Sequence, residues 1–109
     1  MSKRSADIDT AFERWASEGR AVCAPPLDRF EVGDWLGRCP DVRRGYALAT
    51  ELTGVGPGAL RQWRWVAANV AAEVRRPGVC FRRHRDVAAL DPGQQTILLA
   101  LADEGRGQA

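Results

Sequence analysis

A chain of 109 residues, 45% hydrophobic and 28% charged, suits one globular domain with one core. No apolar run approaches the roughly 20 residues that span a bilayer, and the charged Met1-Ser-Lys-Arg start lacks a secretory apolar segment, so a cytoplasmic protein with no membrane association is expected. The net charge of +2 hides an asymmetry: residues 61–86 hold seven arginines against Glu73 and Asp86, while residues 1–60 carry eight basic and nine acidic groups, which is the pattern of a polyanion-binding face.

In chain order, apolar spacing at Ile8, Phe12, Trp15 and Ala16 predicts a helix over about 6–18, capped by Ser5 and ended by Gly19. Pro25 and Pro26 interrupt the pattern. A short helix or turn follows over 30–36, with Phe30, Val32, Trp35 and Leu36 as core and Asp28, Glu31 and Asp34 as caps or surface charges. Asp41 caps a helix through about Thr53, which Gly54 terminates, and Pro57 is placed for a first-turn position because its missing N–H would be unpaired there anyway. The helix it opens is expected to reach about Ala72. Arg75-Arg76-Pro77-Gly78 breaks the chain, helical periodicity resumes over 81–90, and Asp91-Pro92-Gly93-Gln94 starts a last helix ending near Gly105, ahead of a frayed tail. No segment has the alternation of a strand. The expected fold is a compact, multi-helix, all-α domain, with residues 1–29 as an N-terminal helix and linker joined to residues 30–109 in one structural unit.

Enzyme and metal chemistry lack their signatures. There is no glycine-rich phosphate loop, HExxH or nucleophile elbow. Cys23, Cys39 and Cys80 form no CxxC pair and are expected as reduced, partly buried thiols. A catalytic Cys80–His84 pair has no orienting partner. No cofactor and no metal is expected.

A helix-turn-helix needs a small residue where two helices cross, a glycine-bearing turn and apolar positions on the second helix. Leu48, Ala49 and Leu52 suit the first helix, Thr53-Gly54-Val55 the turn, and Leu60 and Trp63 the inward face of the second. Leu60, Trp63, Ala67 and Val70 make its buried stripe, with Trp65 packed on the flank; the alternative for Trp63 and Trp65, aromatics beside arginines, is stacking on single-stranded bases. Ala59, Arg61, Gln62 and Arg64 are left to project from the other faces. Arginine can donate two bonds to guanine and glutamine can pair with adenine, so at least one of Arg61 and Gln62 is expected to contact a base, and Arg64 a phosphate. Arg75, Arg76, Arg82, Arg83, His84 and Arg85 form a second cationic group suited to phosphates. Arg43 and Arg44, at the start of the first helix, complete the expected DNA-binding set.

These residues also resemble the LmbU-like regulators of actinobacterial antibiotic biosynthesis. The matching features are Phe30-Glu-Val-Gly-Asp-Trp-Leu36, the Glu51-Leu-Thr-Gly54 turn followed by Leu60, Val66-Ala67, Arg75-Arg76, Cys80-Phe81-Arg-Arg-His84, and Val87-Ala88-Ala-Leu90 before Gln94-Gln95. Cys80 and Arg83 replace a serine and a histidine of that pattern. A more distant similarity is to the central DNA-binding part of ParB and KorB-type proteins. Both resemblances imply sequence-specific binding to double-stranded DNA.

The expected function is therefore a transcriptional regulator that places the residue-57 helix in the major groove and acts as a homodimer on paired half-sites. The Ile8-Phe12-Trp15 stripe and the Ile97-Leu98-Leu101 face are the candidate dimer surfaces. The alternative is a small phage or accessory interaction module that grips an acidic protein through the same arginines.

Overall fold

The structure, a computed structural model, describes residues 3–107, with side chains over 7–105. It is all-α: α1 (Lys3–Val22), α2 (Arg29–Gly37), α3 (Val42–Thr53), α4 (Pro57–Asn69), α5 (Phe81–Val87) and α6 (Pro92–Gly107). The helices form a body 59 × 28 × 21 Å across. The Ser5 side chain and the end of the tail, Gln108 and Ala109, lie outside the described residues.

Local chemistry sets several boundaries. The Asp28 carboxylate accepts from the backbone N–H groups of Phe30 and Glu31, capping α2, and Asp41 caps α3 by accepting from Arg44 N–H at 3.3 Å. Gly54 ends α3 in the left-handed region at φ +73°, which glycine adopts without a Cβ clash. Pro57 then opens α4.

Helix α1 runs four residues beyond the expected end at Glu18 and passes through Gly19. The reason is packing. A Cβ on Gly19 would collide with the Trp35 ring, so this glycine makes room for an aromatic neighbour and terminates nothing. Trp15 and Trp35 stack with centroids 3.9 Å apart, and each indole N–H donates to the other residue's carbonyl. Burying both rings thus leaves no indole donor unpaired.

The core divides into two clusters that share α4. Leu60 and Trp63 pack with Phe12, Trp15, Val32, Trp35, Leu36 and Ala49. Val66 and Val70 pack with Val79, Val87, Ala88 and Leu99. Helix α2 lies along α4 in the most extensive interhelical contact, and Gly33 permits it, because a Cβ there would meet the Trp63 carbonyl. Helix α4 is therefore the spine that joins α1, α2 and α3 to α5 and α6.

The C-terminal end of α4 comes at Asn69, three residues before the expected Ala72. Its open carbonyls are taken up by distant side chains. Arg75 donates through Nε to the Val70 carbonyl and through Nη2 to the Ala67 carbonyl, each at 2.8 Å. The two N–H groups of Gln95 Nε2 are shared among the carbonyls of Asn69, Ala88 and Leu90, at 2.9, 3.2 and 3.0 Å, which ties together α4, the end of α5 and the approach to α6. Its Oε1 is buried without a hydrogen-bond partner among the described residues. Helix α5 likewise stops at Val87, short of the expected Leu90, in a turn that Leu90 N–H closes onto the Val87 carbonyl.

Candidate nucleic-acid interface

The candidate surface begins with the pair α3 and α4, joined by the three-residue turn Gly54-Val55-Gly56. Burial of Leu60, Trp63, Val66 and Ala67 turns one face of α4 inward, which leaves Gly58, Ala59, Arg61, Gln62, Trp65, Ala68 and Asn69 exposed on the other. The 57–69 segment contains two arginines and no carboxylate. No side chain caps its N-terminus.

Trp65 is a correction. It does not pack on the flank of the core but stands 46% exposed on the solvent face of α4. Helical geometry explains it: Trp63 continues the Leu60 stripe, and a residue two positions on points about 200° away around the axis.

Arg61 projects over the Tyr46 ring, 5.7 Å from its centroid. Together with Arg43 it lines a groove of about 650 Å³ between α3 and the start of α4. Arg64, half-buried, sits toward the loop before α3, close enough that its charge acts on Cys39. Among the described residues, Arg43, Arg61, Arg64, Arg82 and Arg83 have no carboxylate within ion-pair distance. Arg82 and Arg83 lie exposed on α5.

Other members of the expected set have partners within the chain, Arg75 and His84 in the interior and Arg44, Arg76 and Arg85 at the surface. Arg75, its side chain only 16% exposed, forms a bidentate pair with Asp34 at 2.7 and 2.9 Å, caps α4 as described, and lies 4.3 Å from the Phe30 ring centroid. Four of its five N–H donors are thereby spent inside the fold. Arg76 pairs with Asp103 at 3.0 Å, which ties the loop to α6. His84 is 1% exposed. Its Nε2 accepts from the Arg76 backbone N–H at 3.1 Å, so the ring proton sits on Nδ1 and donates to the Cys80 carbonyl at 3.0 Å. His84 is thus a core strut, with both ring nitrogens bonded to backbone groups. Arg44 pairs with Asp9 at 3.0 Å and lies 4.1 Å from the Phe12 ring centroid, a strap from α3 to α1. Arg85 stands 3.9 Å from Asp86.

Two residues of the surface escaped the sequence reading. Arg29 lies against both the Trp63 and Phe81 rings, at 5.7 and 5.6 Å, so one guanidinium marks where α4 and α5 approach. The signal was weak, since a lone arginine after a capping aspartate looks like surface charge. Trp65 is the other.

All three cysteines are free, and Cys80 is exposed rather than partly buried. Burial pushes the Cys23 thiol above its ordinary pKa, helped by the Glu31 charge, and burial likewise raises Cys39. Among the described residues, no three His, Cys, Asp or Glu side chains gather as a metal site, and no helix is long and apolar enough to cross a membrane. Comparison with protein-family models, curated proteins and solved structures finds no match for this chain.

Proposed function

We propose that the protein is a sequence-specific double-stranded DNA-binding transcriptional regulator, with α3 and α4 as a helix-turn-helix and α4 as the helix that enters the major groove. The observation that carries this reading is the solvent face of α4, where Arg61, Gln62 and Trp65 stand exposed on a helix with no carboxylate. Arginine and glutamine are the side chains whose donors and acceptors match guanine and adenine edges. Arg43, Arg64, Arg82 and Arg83 add cations with no carboxylate partner among the described residues, suited to phosphates. The resemblance to LmbU-like regulators implies the same activity, which belongs to the cytoplasm and the nucleoid.

Paired half-sites call for a homodimer. Phe12 and Trp15 are consumed in the core, so of the two candidate faces α6 remains, with Ile97, Leu98 and Leu101 exposed at 62%, 42% and 58%. Sedimentation should give a dimer mass that Leu101→Asp returns to a monomer; a monomer at all concentrations contradicts the pairing.

The activity is tested with the full chain and random duplex DNA. Binding at low salt, release at moderate salt through counterion effects, and recovery of a shared motif from a random library are the expected results. Failure to retain any duplex at low salt overturns the reading, and capture of acidic proteins alone favours the interaction-module alternative.

A further inference from the structure

Trp65 is the one aromatic ring exposed among the described residues, while Trp15, Trp35 and Trp63 are all buried. An indole kept in water on a regular helix retains apolar area that folding does not use. Its neighbours give that area a direction. Gln62 lies three residues before it and Arg61 four before, so both share its strip of the α4 surface. Gly58 and Ala68, exposed at either end of the strip, raise no bulk against an approaching flat surface. The Asn69 amide donates to the Trp65 carbonyl at 2.8 Å and is turned to its own backbone. With Arg61 and Arg64 nearby and no carboxylate on the helix, the strip complements a polyanion rather than a neutral or basic protein.

Resting on the DNA reading above, we propose that Trp65 is a specificity-determining residue that works with Gln62 to read A·T base pairs. Gln62 pairs through its amide with the adenine N6 and N7 edge, and the Trp65 ring packs on the 5-methyl group of a thymine beside it. In the major groove that methyl is the apolar feature by which thymine is recognised, and an exposed ring one helical turn from a glutamine is the matching surface. Arg61, over Tyr46 and beside Arg43, serves the flank nearer the start of α4. The selected operator should therefore contain a required A·T pair.

The test uses the full chain and the duplex recovered from the random library, with each thymine replaced in turn by uracil to remove its methyl group. For the wild type, one replacement should weaken binding about fourfold, the worth of one buried methyl group. Trp65→Ala should bind the parent duplex less well and be indifferent to that replacement, with Trp65→Phe between the two. Circular dichroism checks that the variants fold, and quenching of the Trp65 emission by duplex, lost in Trp65→Phe, gives a second readout. Unchanged affinity and unchanged uracil sensitivity in Trp65→Ala overturn the assignment while leaving DNA binding intact, and point to a protein partner for the ring. A recovered motif with no required A·T pair overturns it as well. No bound duplex at all removes both this inference and the reading beneath it.

Discussion

Residues 61–65 of α4 and residues 75–76 of the loop after it both carry paired arginines, yet their chemistry is opposite. Arg75 is satisfied by Asp34 and two helix carbonyls, and Arg76 by Asp103. Among the described residues, Arg61 and Arg64 have no carboxylate partner. Charge surplus along a sequence therefore locates neither a binding face nor its strength, because a guanidinium such as that of Arg75, with four of its five N–H donors bonded to Asp34 and helix carbonyls, is held as part of the fold. Of the seven arginines between 61 and 86, Arg61, Arg64, Arg82 and Arg83 stay available.

The largest effect that should separate the two regions is on stability. Arg75→Ala strips Asp34 and the Ala67 and Val70 carbonyls of their partner and should cost about 2–4 kcal/mol, lowering Tm by about 10–15 °C. Arg75→Lys restores the charge but not the fork, so its rescue should be partial. A thermal melt of Arg75→Ala equal to wild type breaks the comparison from the loop side. Gln95→Leu should follow at about 1–3 kcal/mol: three carbonyls lose their donor, while the loss of the orphaned Oε1 recovers part of that cost. Chemical denaturation measures it, and hydrogen exchange should localise the loosening to the ends of α4 and α5.

On the α4 side, folding should be untouched and recognition should move. Arg61→Ala and Gln62→Ala should each lower discrimination between the selected duplex and a random one by about 1–3 kcal/mol, with melts within about 0.5 kcal/mol of wild type. Competition binding against both duplexes is the measurement. Smallest is the expected effect of Arg82→Ala, a uniform weakening that lowers the slope of log affinity against log salt by about one. An Arg75 variant that stays folded and yet lowers this slope would show that the loop arginine also touches phosphate.

Much of the helix layout was legible because it rests on local chemistry. Asp41, Gly54 and Pro57 fixed the bounds of α3 and the start of α4 through caps and dihedral preferences that act within a few residues. What was not legible depends on partners far along the chain. Gly19 resembles a terminator until Trp35 is seen against it. The end of α4 depends on Arg75 and Gln95, and the fate of Arg75 on Asp34, 41 residues away. His84 in an arginine run suggests a cationic surface, but its ring faces inward to the Arg76 amide and the Cys80 carbonyl. Of the candidate site, the α4 positions were readable from helical period. Trp65 was not, because hydrophobicity argued for burial and only the orientation set by Trp63 turned it outward.

The most direct test is an amide NMR titration of the full chain with duplex DNA at low salt. The account predicts that shift changes concentrate on residues 58–65 of α4 and on Arg82 and Arg83, with Arg75, Arg76 and His84 nearly silent. Changes centred on residues 75–77 or on α6, with the α4 face unmoved, would contradict it.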